Sequence, residues 1–100
     1  MACTRLNPTA DSQYALVYRD YVPSTTTDFN NITTMGIYML GDTTMANGPA
    51  EYKWRFLIVL VGGSQTKQQF IVGNMGEIYY RGFSGNPPSW GIWHKVSSTT

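Results

Sequence analysis

The chain's one histidine, His94, follows Trp93 in "SWGIWHKV" (Ser89 to Val96), and its one cysteine is Cys3. Nucleophilic catalysis needs a nucleophile with a base in reach. No serine here sits in a Gly-x-Ser-x-Gly elbow, and no cysteine neighbours His94. A zinc site takes three or four His, Cys or carboxylate ligands, and one His and one Cys fall short of the usual sets. Glycoside hydrolysis needs two carboxyl groups facing one bond. The six carboxylates are scattered over turns and strand edges, with only Glu77 inside a predicted core strand. "DFNN" (Asp28 to Asn31) offers oxygen ligands without the rest of an EF-hand loop. The sequence therefore reads as non-enzymatic, with no metal and no cofactor expected. His94 reads as a surface or half-buried strand residue.

Aromatic residues offer different chemistry, because an indole or phenol ring can stack on a sugar. Tyr52, Trp54, Tyr79, Tyr80 and Trp90 are the candidates, with Asn, Gln and Thr nearby to bond hydroxyls. Trp54 and Tyr80 share alternation with apolar neighbours and are expected in the core. Tyr79 alternates with Glu77 and Arg81 and is expected to face outwards. Trp90 and Trp93 are three apart, which puts them on opposite faces of an extended strand. Tyr52, Tyr79, Arg81, Asn86 and Trp90 form the expected receptor-contacting set.

The elements that must carry these residues are short. A chain of 100 residues is one domain, and 42% apolar with 14% aromatic content predicts a packed globule. Net charge is +1, from seven basic and six acidic residues spread singly, so no basic stripe matches a nucleic-acid backbone. The N-terminus has no apolar signal core, and "FLIVLV" (Phe56 to Val61) is too short to cross a membrane. A soluble protein in a reducing compartment is expected.

Strand formers punctuated by Gly, Pro and Asn predict an all-β fold: a small antiparallel, sandwich-like sheet with tight turns. The predicted strands lie in "YALVYRDYV" (Tyr14 to Val22), "GIYML" (Gly36 to Leu40), "YKWRFLIVLV" (Tyr52 to Val61), "QQFIV" (Gln68 to Val72), "EIYYRGF" (Glu77 to Phe83) and "WGIWHKV" (Trp90 to Val96). In the longest, Tyr52, Trp54, Phe56, Ile58 and Leu60 are apolar throughout and read as the core face. The other face starts with Lys53 and Arg55 and turns apolar at Leu57, Val59 and Val61. These three aliphatics need a cover, either a second sheet or a neighbouring subunit.

The order "DFNNITTMGIYML", a Gly-Pro loop, "FLIVLVGG", "QQFIV", "GEIYYRGF" and "WGIWHKV" resembles the pyocin-knob family of phage tail-fibre domains, over about residues 28–96. Residues 1–27 are then an N-terminal strand and linker, a shaft or connector remnant, and residues 28–100 the knob. The resemblance implies a homotrimeric fibre of a phage or phage-like bacteriocin, made in the bacterial cytoplasm and located in the virion. It implies attachment to a bacterial surface polysaccharide or lipopolysaccharide, with Leu57, Val59 and Val61 at the subunit contact. A structural spacer or trimer-closing knob without glycan binding is the alternative. With only "SSTT" after Val96, the knob is expected at the far end of its fibre, and the final Trp-x-x-Trp strand as its closing core strand.

Overall fold

The computed structural model describes residues 15–96. Seven strands form one sheet: β1 (Tyr18–Tyr21), β2 (Gly36–Met39), β3 (Phe56–Gly63), β4 (Thr66–Val72), β5 (Ile78–Gly85), β6 (Pro88–Trp90) and β7 (His94–Val96). Their order is β1-β2-β3-β4-β5-β6, with β7 also on β5. The protein is all-β, as the punctuation predicts. From β2 onwards each strand is antiparallel to its neighbour, and the short turns after β3, β4 and β5 permit nothing else there. β1 instead runs parallel to β2, reached through a long connection that includes a 3-10 turn at Phe29–Asn31. The strand expected within Tyr14–Val22 is thus an edge strand of the same sheet, and the boundary drawn at residue 27 falls inside that sheet. Tyr14 and Cys3 lie outside the described residues.

One face of the sheet is covered by the chain's own connections. Phe29, Ile32, Leu40 and Met45 pack over Tyr38, Leu57, Val59, Val61, Ile71 and Tyr79, with Val22, Met35, Tyr52 and Trp93 at the margin. Burying each large aliphatic or aromatic side chain there contributes roughly 1.5–3 kcal/mol. Gly36 serves the close approach of Arg19, which lies across it: a Cβ on Gly36 would stand 2.6 Å from Arg19 Nε. That guanidinium bonds the Met35 carbonyl at 2.6 Å and ties β1 to the start of β2.

The faces are the reverse of those read from the sequence. Leu57 and Val59 are 0% exposed and Val61 is buried, all inside the single chain. They are core residues rather than subunit-contact residues. Phe56, expected in the core, is 44% exposed. The reason lies in Tyr52–Arg55, which is no strand. Residues 53–55 turn, with Trp54 at φ 62°, so Lys53 and Arg55, read as marks of the solvent face, lie outside β3 and do not tell which of its faces turns inwards.

The closing segment also differs from one continuous strand. β6 pairs with Phe83–Gly85, while β7 pairs with Ile78–Tyr80. Between them Gly91 N donates to Gly82 O at 2.8 Å and the chain leaves the ladder. Trp90 and Trp93 are therefore not set on opposite faces. Both reach Arg81.

Candidate functional site

Two of the five residues expected to contact a receptor, Arg81 and Trp90, belong to an internal lock. Arg81 is 4% exposed, drawn inside because the covering connection brings polar groups that need donors. Its Nε donates to Gln69 Oε1 at 2.9 Å and its Nη2 to Asn30 Oδ1 at 2.9 Å. Gln69, wholly buried, donates through Nε2 to the carbonyls of Phe29 (2.7 Å) and Ile32 (3.1 Å). The guanidinium carbon stands 4.2 Å from the Trp90 ring centre and 4.7 Å from that of Trp93. Burial pulls Arg81 down from the ordinary arginine range to about 10, with the Asp28 carboxylate opposing the fall, so it stays a cation at neutral pH.

Trp90 also packs on Phe83, and Trp93 Nε1 donates to the Asn47 carbonyl at 2.8 Å. Tyr79, expected to face outwards, is buried, with its hydroxyl 3.4 Å from Glu51 Oε1. Tyr52 is half-buried, its ring edge-on to Phe29 and its hydroxyl accepting from Met45 N at 2.8 Å. Asn86 alone of the set is exposed, in the turn joining β5 to β6. The structure thus gathers Tyr79, Arg81 and Trp90 as parts of a core, and leaves no shared aromatic groove among the five.

The opposite face of the sheet is open. Two of its cross-strand rows run over six strands, fixed by the ladder register. Tyr18, Ile37, Ile58, Phe70, Tyr80 and His94 form one row. Tyr21, Met39, Phe56, Val72, Ile78 and Val96 form the other. A register shift between Tyr18 and Tyr21, with Asp20 at φ 71°, lets residues three apart join the same face. Phe70, Tyr80 and His94 make a ladder of rings, with Tyr80 stacked on His94 at 5.1 Å. Neither row holds a Lys, Arg, Asp or Glu. Six strands at about 4.8 Å spacing and two rows along each give roughly 300 Å² in plan, the size of the largest apolar patch on a typical monomer, which is often a functional surface. The sequence signal for this face lies in the even positions of "FLIVLV", which the alternation reads as the core face.

At one end of the sheet, beyond the Phe56 and Val72 pair, lies a second feature the sequence reading missed. Trp54, expected in the core, is 55% exposed. Its φ of 62° is left-handed backbone, which costs a bulky residue about 1–2 kcal/mol. Beside it Arg55 Nε donates to Glu77 Oε1 at 3.1 Å, and Arg55 Nη1 donates to the Lys53 carbonyl at 3.0 Å. The ion pair rests on Gly73, where a Cβ would meet Glu77 Oε1 and stand 2.9 Å from Arg55 Nε. Lys53, Trp54, Arg55, Asn74, Met75 and Glu77 line an open cleft of about 370 Å³. Among the described residues, no cluster of His, Cys, Asp and Glu could hold a metal ion, and no helix is long and apolar enough to cross a membrane.

Two carboxylates sit below their ordinary range. Asp28 is lowered by the Asn47 side-chain bond, then by the Asn30 backbone N–H and the charge of Arg81. Glu77 is lowered by its own backbone N–H, then by Arg55 and by the charge of Lys95. A carboxylate lowered in the fold adds stability above its unfolded pKa and loses it as pH falls through the folded one. Denaturant midpoints should therefore hold steady above about pH 5 and drop below about pH 4. The Asp28→Asn, Glu77→Gln double variant should show a shallower acid limb; an unchanged limb contradicts the assignment.

Comparison with protein-family models, with curated proteins and with solved structures returns no match to this chain.

Proposed function

We propose that this chain is a non-catalytic knob of a phage or phage-like bacteriocin tail fibre. Three copies associate through the open sheet face, and the assembly attaches the particle to a bacterial surface polysaccharide or lipopolysaccharide. The observation that carries the reading is the pair of uncharged rows running across six strands of one exposed face. An isolated domain leaves that surface to water, whereas assembly buries it. The motif order that resembles pyocin-knob domains supplies the copy number and the setting. Attachment through such a knob works by avidity, because weak contacts repeated on each subunit and each fibre multiply.

A spacer knob that closes the trimer without touching glycan is the second reading. It is favoured by the burial of Tyr79 and by the engagement of Arg81 and Trp90 in the internal lock. Fluorescently tagged protein incubated with a panel of bacterial strains separates the two. The attachment reading expects strong labelling of some strains and none of others. Uniform, negligible labelling removes the receptor role and leaves the spacer.

A further inference from the structure

The geometry points to a saccharide-binding site at the Trp54 corner: the indole takes the C–H face of a neutral pyranose ring, while Arg55, Glu77 and Asn74 bond its hydroxyls. This deepens the attachment reading and rests on it for the origin of the sugar, though not for the site itself.

Three observations converge there. Trp54 is the most exposed of the three tryptophans, Trp90 and Trp93 both being half-buried. A bulky side chain on left-handed backbone persists only where its surroundings hold it, and such positions cluster at ligand sites. Here the hold is specific: Trp54 N donates to Gly41 O, and Leu40 N donates to Arg55 O at 2.9 Å. The second observation is the Arg55–Glu77 pair, whose side chains are 23% and 15% exposed. It is held in place over Gly73 while remaining open to the cleft. Guanidinium N–H groups donate, carboxylate oxygens accept and the Asn74 amide does both, which matches hydroxyls that also do both. The third is charge balance. Arg55 is neutralised by Glu77, Lys53 lies 3.5 Å from Asp42, and Lys95, whose charge reaches Glu77, sits over the Tyr79 ring, so the corner offers no cluster of unpaired cations for a phosphate. A ring with one apolar face and a rim of hydroxyls satisfies every group present.

The test is a titration of the purified chain with glucose, galactose, mannose, rhamnose and N-acetylglucosamine, with inorganic phosphate as the anionic comparator. It is read by NMR at the three tryptophan indole N–H signals and at the Asn74 side-chain amide of the corner. One or more sugars should shift the Trp54 signal in a saturable way and leave that of Trp93, held by Asn47, unmoved. Trp54→Ala should abolish the effects of those sugars on the remaining signals of the corner. Trp54→Gly should do the same with an unfolding midpoint equal to or above the parent's, because glycine accepts the left-handed backbone. Gly73→Ala, which displaces Glu77 and leaves Trp54 in place, should weaken binding at least about tenfold, or 1.4 kcal/mol.

No shift with any of the sugars, or a response to phosphate alone, overturns the site. The same variants separate this inference from the reading it rests on. Undiminished labelling of bacteria by Trp54→Ala, with no saturable sugar shift in the parent, overturns the corner and leaves attachment standing. Absence of labelling by the parent, with saturable sugar shifts at Trp54, sinks attachment and keeps the corner.

Discussion

Arg81→Leu is expected to destabilise the fold by about 2–4 kcal/mol, out of the roughly 5–15 kcal/mol that holds a domain together. The loss has three sources. Gln69 Oε1, fully buried, loses its donor, and a buried acceptor left bare costs about 1–3 kcal/mol. Asn30 Oδ1 loses its donor as well, which loosens the turn at Phe29–Asn31. The two tryptophan faces then lose the cation between them, at about 0.5–2 kcal/mol each, partly offset by the desolvation that Arg81 no longer suffers. Arg81→Lys should recover little, because an ammonium neither forks to two acceptors nor stacks flat on a ring. Urea unfolding at fixed protein concentration measures both variants. A loss under about 0.5 kcal/mol for Arg81→Leu would show that the lock holds nothing.

Phe56→Asp is expected to release single chains that keep the strand signature in circular dichroism. Phe56 is 44% exposed in the single chain, so an aspartate there meets water once the copies part. In the assembly it would be an unpaired buried charge, repeated in each copy, at several kcal/mol apiece. Association should weaken by orders of magnitude. Thr44→Asp, at an exposed position away from the sheet, should leave assembly intact. Val59→Asp makes an instructive contrast. With Leu57, Val59 and Val61 taken as the subunit contact, it would be the dissociating change. With Val59 at 0% exposure in the core, it should unfold the chain instead. Size-exclusion elution read beside circular dichroism separates unfolding from dissociation.

These contrasts mark what the residue order reveals. The strands were legible because Gly, Pro and Asn interrupt runs of β-branched and aromatic residues at short intervals. Which face turned inwards was not. Alternation gives two faces without a sign, and the sign was taken from Lys53, Arg55, Glu77 and Arg81 as marks of solvent. Arg81 and Gln69 are inside because the connection laid over the sheet presents the carbonyls of Phe29 and Ile32, which demand donors. That demand arises from contacts 37 and 40 residues away in sequence, beyond the reach of local pattern. Trp54 was hidden for a related reason. Its neighbours read as strand, and nothing in the residue order announces a tryptophan on left-handed backbone. The final strand read as core-closing, yet Trp90 was placed among the receptor contacts and opposite Trp93; their shared engagement of Arg81 depends on the break at Gly91, which an unbroken strand reading passes over.

The central claim is that the open face is covered by other copies of this chain. Light scattering of the unaltered protein across micromolar concentrations tests it most directly. A mass of about three times the 11.2 kDa of one chain is expected, steady over that range. A mass of 11.2 kDa throughout would rule trimerisation out, since the two rows would then stand in water with no second copy to cover them.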